Sequence, residues 1–128
     1  MLHFSETNTI FVMNNNADYR EVQYFGSYFL RFYKRQPERV KAKIDWTFKL
    51  IERLKIVPER FLKHITGTNG LYEIRIEVSR KSIRVFCFFD KGNLIILTNA
   101  FVKKSKRTPK KEIVKALRIK DEYEKEIK

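Results

Sequence analysis

Between residues 71 and 104 the chain alternates apolar and polar side chains. From Tyr72 to Val78, every second residue is apolar and the residues between are charged. A period of two is typical of a strand with one buried face, because successive side chains point to opposite sides. The alternation resumes at Ile83, and a third apolar run follows a turn that contains a glycine. The pattern predicts three consecutive strands, at residues 72–78, 83–89 and 94–102.

The pairing of these strands follows from where the chain turns. We predict the tip of the first hairpin at Arg80 and Lys81, because this register places the apolar residues of both strands on one face. The same register sets Glu77 opposite Arg84, and a similar count across the second turn sets Asn99 beside Arg84. The other face then carries arginines, an asparagine and aromatic residues. Such a face is either a ligand surface or a solvated face with alternating charges.

Helical spacing replaces this alternation on both sides of the strands. Before them, apolar residues recur every three or four positions, which predicts a first helix capped by Ser27 and a second from Pro37 to about Lys55. After them, Thr108 as a cap and Pro109 in the first turn predict a last helix.

The order of the elements predicts the fold class. A short strand at residues 20–25 precedes the two helices, and a single helical turn at residues 58–62 follows them. The order β-α-α-β-β-β-α is typical of an α+β domain with a small antiparallel or mixed sheet, on which the two N-terminal helices pack. We expect residues 20–128 to form one domain and residues 1–19 to be an N-terminal extension.

The charge balance indicates an anionic partner. The 128 residues include 28 Lys and Arg against 15 Asp and Glu, a formal net charge of +13. Residues 103–120 alone hold nine Lys and Arg against the single acid Glu112, which a solvated helix face explains poorly. A chain this basic repels itself when it folds, so we expect the excess charge to serve binding. Nucleic acid is the leading candidate, and an acidic protein or an anionic membrane surface is the alternative.

The candidate RNA-binding residues are Lys106, Arg107, Lys110 and Lys111. The sequence has no long basic amphipathic helix with an aromatic face, which weakens the membrane alternative. It also has no apolar run of about 18 residues and no signal-sequence pattern, so a cytoplasmic location is expected. The single cysteine, Cys87, lies within an apolar strand and is expected to be a core residue in a reducing compartment.

The residue types present exclude several kinds of site. Two histidines and one cysteine lie far apart in the sequence, which does not suit a metal centre, and no phosphate-binding loop of the G-x-x-x-x-G-K type occurs. A nuclease without metal or cofactor is still compatible with the sequence, because the 2′-OH of RNA can attack the adjacent phosphate. Such an enzyme must align the attack, stabilise the phosphorane and transfer protons. His64 is a candidate for proton transfer, although a lone histidine near a strand is more often structural.

Three segments resemble the RelE/HigB superfamily of type II toxins, and more narrowly its phage-derived HigB-like branch. They are FLKHITGTNGLYEIR (residues 61–75), IRVFCFFDKGNLIIL (residues 83–97) and KKSKRTPKKEI (residues 103–113). The resemblance extends from about Arg20 to the C-terminus. It implies a RelE-like fold and a ribosome-dependent, metal-independent mRNA endoribonuclease that needs no cofactor and leaves a cyclic phosphate and a 5′-hydroxyl. It also implies a cognate antitoxin, often a helix-turn-helix protein.

The resemblance also implies roles for particular residues. Arg84 falls on the arginine that stabilises the phosphate, and Arg75 on a basic strand position that supports proton transfer or phosphate binding. Lys103 and Lys104 fall on the basic pair after the last strand. His64 is retained as a further catalytic candidate.

Two family positions differ in this chain. Glu73 stands where the best-known relative has a lysine, and the tyrosine that follows the basic loop in that relative has no clear counterpart. These differences support an alternative function for the same surface, as a non-catalytic module that binds RNA or an acidic partner.

Overall fold

The computed structural model describes residues 18–127, in which the chain forms five strands and three helices. In chain order they are β1 (Glu21–Tyr24), α1 (Tyr28–Lys34), α2 (Glu38–Arg53), β2 (Leu62–His64), β3 (Leu71–Val78), β4 (Lys81–Asp90), β5 (Leu94–Lys103) and α3 (Lys110–Glu126). The strands form one sheet in the order β1-β5-β4-β3-β2, in which β1 is parallel to β5 and the other neighbours are antiparallel. The predicted α+β class with a mixed sheet is confirmed. The predicted extension at residues 1–19 lies outside the described residues, except for its last two.

The main hydrophobic core lies between α1, α2 and the first face of the sheet. Apolar residues recur at helical spacing along α2, at Val40, Ile44, Phe48 and Ile51, and all four are buried. The strand residues in this core are Val22, Ile74, Ile76, Ile83, Val85, Cys87, Ile95 and Leu97. The predicted packing of the two N-terminal helices on the sheet is therefore confirmed. Cys87 is a core residue, as predicted, and burial raises the pKa of its thiol.

The second face of the sheet is covered in part by α3. Leu71, Phe86 and Ala116 form a separate buried cluster on this face. The prediction placed only the two N-terminal helices on the sheet, and α3 joins them because this face also carries apolar side chains. As a result the central strand β4 is buried on both faces over residues 83–88.

The first hairpin turns one residue earlier than predicted. Ser79 and Arg80 occupy its tip, with φ of 50° and 62°. Two consecutive residues with positive φ are typical of a type I′ turn, whose twist matches that of the flanking strands. The predicted tip is therefore wrong, and Arg84 lies opposite Arg75 rather than Glu77. Because side chains alternate with a period of two, this two-residue shift in register leaves every side chain on its predicted face.

A β-bulge interrupts the pairing of β4 with β5. Two residues of β5, Thr98 and Asn99, lie opposite the single residue Phe86. The hydroxyl of Thr98 donates a hydrogen bond of 3.0 Å to the Phe86 carbonyl, which gives this buried acceptor a partner. The predicted position of Asn99 beside Arg84 is wrong. The Asn99 amide donates instead to the carbonyl and the carboxylate of Glu112, and so ties α3 to the sheet.

The segment between α2 and β3 contains a strand that was not predicted. The carbonyl of Pro58 accepts hydrogen bonds from the N–H groups of Phe61 and Leu62, so the predicted helical turn is present as one hydrogen-bonded turn. The chain then enters β2, which pairs with β3 at the edge of the sheet. A strand of three residues is too short for its hydrophobic period to be read.

The helices begin close to their predicted positions, but the predicted capping residues do not cap them through their side chains. Ser27 is at the N-cap of α1, and its hydroxyl accepts a hydrogen bond from the Arg31 guanidinium rather than from a backbone N–H. Helix α3 begins at Lys110, so Pro109 and not Thr108 precedes its first turn.

Two polar side chains join the edge strand β1 to the end of α2. The guanidinium of Arg20 donates hydrogen bonds to three carbonyls at the C-terminal end of α2, where a positive charge is favourable. The carboxylate of Glu52 accepts a hydrogen bond of 2.8 Å from the Val22 N–H. Glu52 is only 2% exposed, and burial raises its pKa from 4.5 to about 7. Within residues 18–127, no helix is both long and apolar enough to cross a bilayer.

We expect Ile74→Ala to lower the free energy of unfolding by roughly 2–4 kcal/mol, because Ile74 is fully buried and its truncation leaves a cavity. Urea denaturation measures this change. The control is Ile56→Ala, since Ile56 is 80% exposed and its loss leaves no cavity. Equal effects of the two substitutions would contradict the position of the core.

We expect Glu52→Gln to stabilise the protein at pH 8 and to have a smaller effect near pH 5. The folded state binds the Glu52 proton more tightly than the unfolded state, so wild-type stability decreases as the pH rises from about 4.5 to about 7. A pKa shift of this size corresponds to roughly 3 kcal/mol, and glutamine keeps an oxygen that can accept from Val22. Urea titrations across this pH range, with the exposed Glu59→Gln as the control, measure the difference. If the free energies of unfolding of wild type and Glu52→Gln changed with pH in parallel, Glu52 would not be the group that makes wild-type stability decrease.

Candidate functional site

Four charged side chains lie together on the second face of the sheet, at the end of the β3–β4 hairpin. Glu73, Arg75 and Glu77 alternate along β3, and Arg84 on β4 is the direct cross-strand partner of Arg75. Two arginines side by side repel each other, and the carboxylates offset this repulsion. The Glu73 carboxylate lies between them, 3.6 Å from Nε of Arg75 and 3.7 Å from Nε of Arg84. These four residues form the charge cluster, which contains both candidate catalytic arginines.

Arg84 is held from one side. Its Nη1 donates hydrogen bonds to the carboxylate of Glu77, over 2.9 Å, and to the carbonyl of Ile83, over 3.2 Å. The residue is only 4% exposed. Its Nε and the facing Oε1 of Glu73 have no hydrogen-bond partner within residues 18–127, and Nη2 makes no hydrogen bond to that part of the chain. The guanidinium is therefore fixed in position while part of its donor capacity is unused.

Glu77 is kept ionised by its neighbours. Burial alone would raise the pKa of its carboxyl, but hydrogen bonds from the Ser82 hydroxyl and the Arg84 guanidinium outweigh burial and lower it. The Ser82 hydroxyl donates over 2.6 Å to Oε1, and Arg84 donates to Oε2. Because both oxygens are engaged, the carboxylate fixes the orientation of Arg84 across the hairpin.

A basic cleft opens next to this cluster, where β5 leaves the sheet. Lys103 pairs with Ser82 at the end of β5, and the chain leaves the sheet after it. The cleft is open to solvent and has a volume of about 430 Å³. Its lining residues are Ser82, Arg84, Lys103, Lys104, Ser105 and Lys106. Four cations and two hydroxyls without a carboxylate among the lining residues suit a phosphate group.

The structure brings together some of the predicted site residues and separates others. Arg84, Lys103 and Lys104, which were candidate catalytic residues, line this cleft with the candidate RNA-binding residue Lys106. Arg75 adjoins the cleft through Glu73 but does not line it. The remaining RNA-binding candidates are exposed and lie along the next stretch of chain; these are Arg107 in the loop and Lys110 and Lys111 in the first turn of α3.

His64 lies apart from the cleft. It is on the edge strand β2, where it pairs with Tyr72 and packs edge-on against the Tyr72 ring. Tyr72 packs against the main core, so both rings are on the first face of the sheet, opposite the face that carries Arg84. The His64 ring is exposed, and its Nε2 is 3.1 Å from the Thr68 carbonyl.

Tyr123 of α3 is also remote from the cleft. Its hydroxyl donates a hydrogen bond of 2.7 Å to Asp90, at the opposite end of β4 from Ser82. Burial and this hydrogen bond raise the pKa of Tyr123 to about 12. The ring packs edge-on against Phe25 and Phe88, which indicates a structural role.

Sequence reasoning missed the role of Glu73 and the two serines of the cleft. Glu73 was noted only as a difference from the best-known relative, although the alternation along β3 already placed it on the same face as Arg75 and Glu77. Ser82 and Ser105 carry no signal in a single sequence. No group of three or more His, Cys, Asp or Glu residues within 18–127 could hold a metal ion.

Comparison with known proteins gives one family. The sequence model of the family described as phage-derived protein Gp49-like matches residues 31–121, which is more than half of the chain. The matched region includes the charge cluster and every residue that lines the basic cleft. No curated protein matches the chain significantly.

We expect the double substitution Lys104→Ala/Lys106→Ala to weaken binding of single-stranded RNA without changing the melting temperature. Both side chains are exposed and neither forms an ion pair within residues 18–127. A surface that neutralises about five phosphates gives a log–log salt slope near −3.5, and losing two contacts reduces its magnitude by about 1.4.

Fluorescence anisotropy over a range of NaCl concentrations measures this slope. The control is Lys55→Ala/Lys63→Ala, which removes the same charge from exposed positions outside the cleft. If the control reduces the slope equally, the cleft is not where the phosphates bind.

Proposed function

The chain belongs to the phage-derived Gp49-like family, and we propose that it is the toxin of a type II toxin–antitoxin system, a HigB-like member of the RelE/HigB superfamily. Its activity in this proposal is cleavage of mRNA on the ribosome without a metal ion. The substrate is therefore translated mRNA in the cytoplasm. The partner that neutralises it is a cognate antitoxin, for which a helix-turn-helix protein is expected.

The observation that carries this proposal is the fixed position of Arg84 at the wall of the basic cleft. When the 2′-OH of RNA attacks the adjacent phosphate, the phosphorane carries more negative charge than the phosphodiester. A guanidinium that is already oriented binds this transition state better than the substrate and needs no reorganisation. Glu77 provides that orientation by accepting a hydrogen bond from Nη1 of Arg84.

The lysines of the cleft add positive charge next to Arg84. Lys103 is the last residue of β5 and Lys104 follows it, and both line the cleft with Arg84. Their charges attract the RNA backbone. As the 2′-oxygen bonds to phosphorus and the bond to the 5′-oxygen breaks, solvent water accepts the 2′-OH proton and a protonated lysine gives a proton to the departing 5′-oxygen. Lys106 extends the positive surface toward α3.

A second candidate function is a non-catalytic module that binds RNA or an acidic partner through the same cleft. The observation that favours it is the environment of Arg84, which is almost fully buried and lies beside two carboxylates. An arginine in such a position can serve folding alone, since a buried charge requires opposite charges around it.

We expect Arg84→Lys to remain folded and to bind ribosomes, but to lose cleavage by a factor of about 10²–10³. Lysine keeps the charge that Glu73 and Glu77 require, but it lacks the planar donor fork that fits two phosphate oxygens. Primer extension on ribosome-bound mRNA, together with growth arrest on expression, measures the loss. Arg39→Lys is the matched control, because Arg39 is exposed on α2 and outside the cleft.

Arg84→Ala is a second variant that also leaves the buried Glu73 without one of its two cations, so it is expected to be less stable than Arg84→Lys. Cleavage by well-folded Arg84→Lys at the wild-type rate would remove Arg84 from the mechanism. Binding to ribosomes without cleavage by the wild-type protein would decide for the non-catalytic module.

A further inference from the structure

A second basic pocket lies at the edge of the sheet, away from the Arg84 cleft. Strand β1 is short and its pairing with β5 ends at Tyr24 and Leu97. Beyond that point, no strand within residues 18–127 covers β5 on this side, so residues 98–103 form an open edge. Helices α1 and α3, which cover opposite faces, meet across this edge through a 2.8 Å hydrogen bond from the Tyr28 hydroxyl to Glu122.

The two helices and the edge strand border a volume of about 320 Å³, and half of its lining residues are cations. Arg31 and Arg35 come from α1, or directly after it, and Lys115 and Arg118 come from α3. Ala100 of β5 forms the floor. This pocket is more enclosed than the Arg84 cleft, and none of its lining residues is shared with it.

The positive charge in this pocket is only partly neutralised. Arg35 and Lys115 form no side-chain hydrogen bond or ion pair within residues 18–127. Arg31 donates to the Ser27 hydroxyl, which carries no charge. Two acids contact lining residues: Glu122 lies 3.9 Å from Nε of Arg118, and the Glu112 carboxylate accepts a hydrogen bond from Asn99. Like charges held together in this way repel each other unless an anion binds between them.

The pocket and the cleft lie on the same strand. Ala100 is at the pocket and Lys103 is at the cleft, so the two sites are about 10 Å apart along β5, at roughly 3.3 Å per residue. A single-stranded nucleic acid of a few nucleotides can reach both sites. Phe101 and Val102 lie between these two positions on β5, and Lys104 and Lys106 of the cleft extend the positive surface beyond Lys103.

We propose that the pocket between α1 and α3 is a second phosphate-binding site, which holds the backbone of a single RNA strand whose neighbouring phosphates occupy the Arg84 cleft. The three arginines suit phosphate oxygens because a guanidinium can donate two parallel hydrogen bonds. The Tyr28 ring in the wall provides an aromatic surface for a base. The pocket's role as an anchor for substrate RNA rests on the proposed function, but RNA can bind in the pocket without being cleaved.

The test compares two lengths of single-stranded RNA with 2′-O-methyl groups, which prevent cleavage. The variant is Arg35→Ala/Lys115→Ala, and the control of equal charge is Lys55→Ala/Lys63→Ala. For an RNA of about 12 nucleotides, the variant should reduce the magnitude of the log–log salt slope by about 1.4, from roughly 0.7 per phosphate contact. For a dinucleotide, whose single phosphate occupies the Arg84 cleft and cannot also reach the pocket, the slope should not change. The control should bind both RNAs like the wild type, and all three proteins should have the same melting temperature.

An unchanged slope with the longer RNA would overturn the proposal, and so would an equal reduction for both lengths. Competition with polyglutamate of similar length tests for an acidic protein in place of RNA. If polyglutamate displaces the longer RNA from wild type and not from Arg35→Ala/Lys115→Ala at equal ionic strength, the pocket is a peptide site and the proposal is wrong. A wild-type protein that shows the length-dependent slope but does not cleave mRNA on ribosomes would contradict the proposed function and leave the phosphate site in place.

Discussion

The structure depends on a constraint at β4, the strand that is covered by helices on both faces. A strand in this position is expected to carry apolar side chains on both sides. Residues 83–88 follow this expectation, with the exception of Arg84. A charge in such a position is tolerated only when opposite charges surround it, because burial removes its hydration. Glu73 and Glu77 on the neighbouring strand meet this requirement, so the fold and the candidate site share the same three residues.

The two faces of the sheet have different roles. The first face, with α1 and α2, contains most of the apolar core and supplies stability. The second face is apolar beneath α3 and charged toward the hairpin. The charged end is held by the pairing of β4 with β3 and β5 and by the main core on the first face. Rigidity of this kind is what electrostatic stabilisation of a transition state requires.

The sequence allowed the faces of the sheet to be predicted, but not the pairing of its strands. Period-two alternation placed Arg75 and Arg84 on the face away from the main core, and the structure agrees. The same alternation is unchanged by a register shift of two residues, so it could not decide whether Glu77 or Arg75 lies opposite Arg84. The register is set by the turn at Ser79 and Arg80. Neither of these residue types is typical of positive φ, so the sequence does not indicate the turn. The bulge at Thr98 and Asn99 had no sequence signal, because polar residues in a strand also occur on solvated faces.

The parallel pairing of β1 with β5 has a consequence for synthesis of the chain. Among the strands of residues 18–127, Glu21–Tyr24 is the first to leave the ribosome, and its partner Leu94–Leu97 follows about 70 residues later. Until β5 has emerged, β1 has no strand to pair with, and α1 has no sheet edge to pack against. Non-local pairing of this kind is slow to form. The folded domain therefore arises only after β5 has been synthesised, so a chain that stops before β5 has neither of the basic pockets that β5 helps to build.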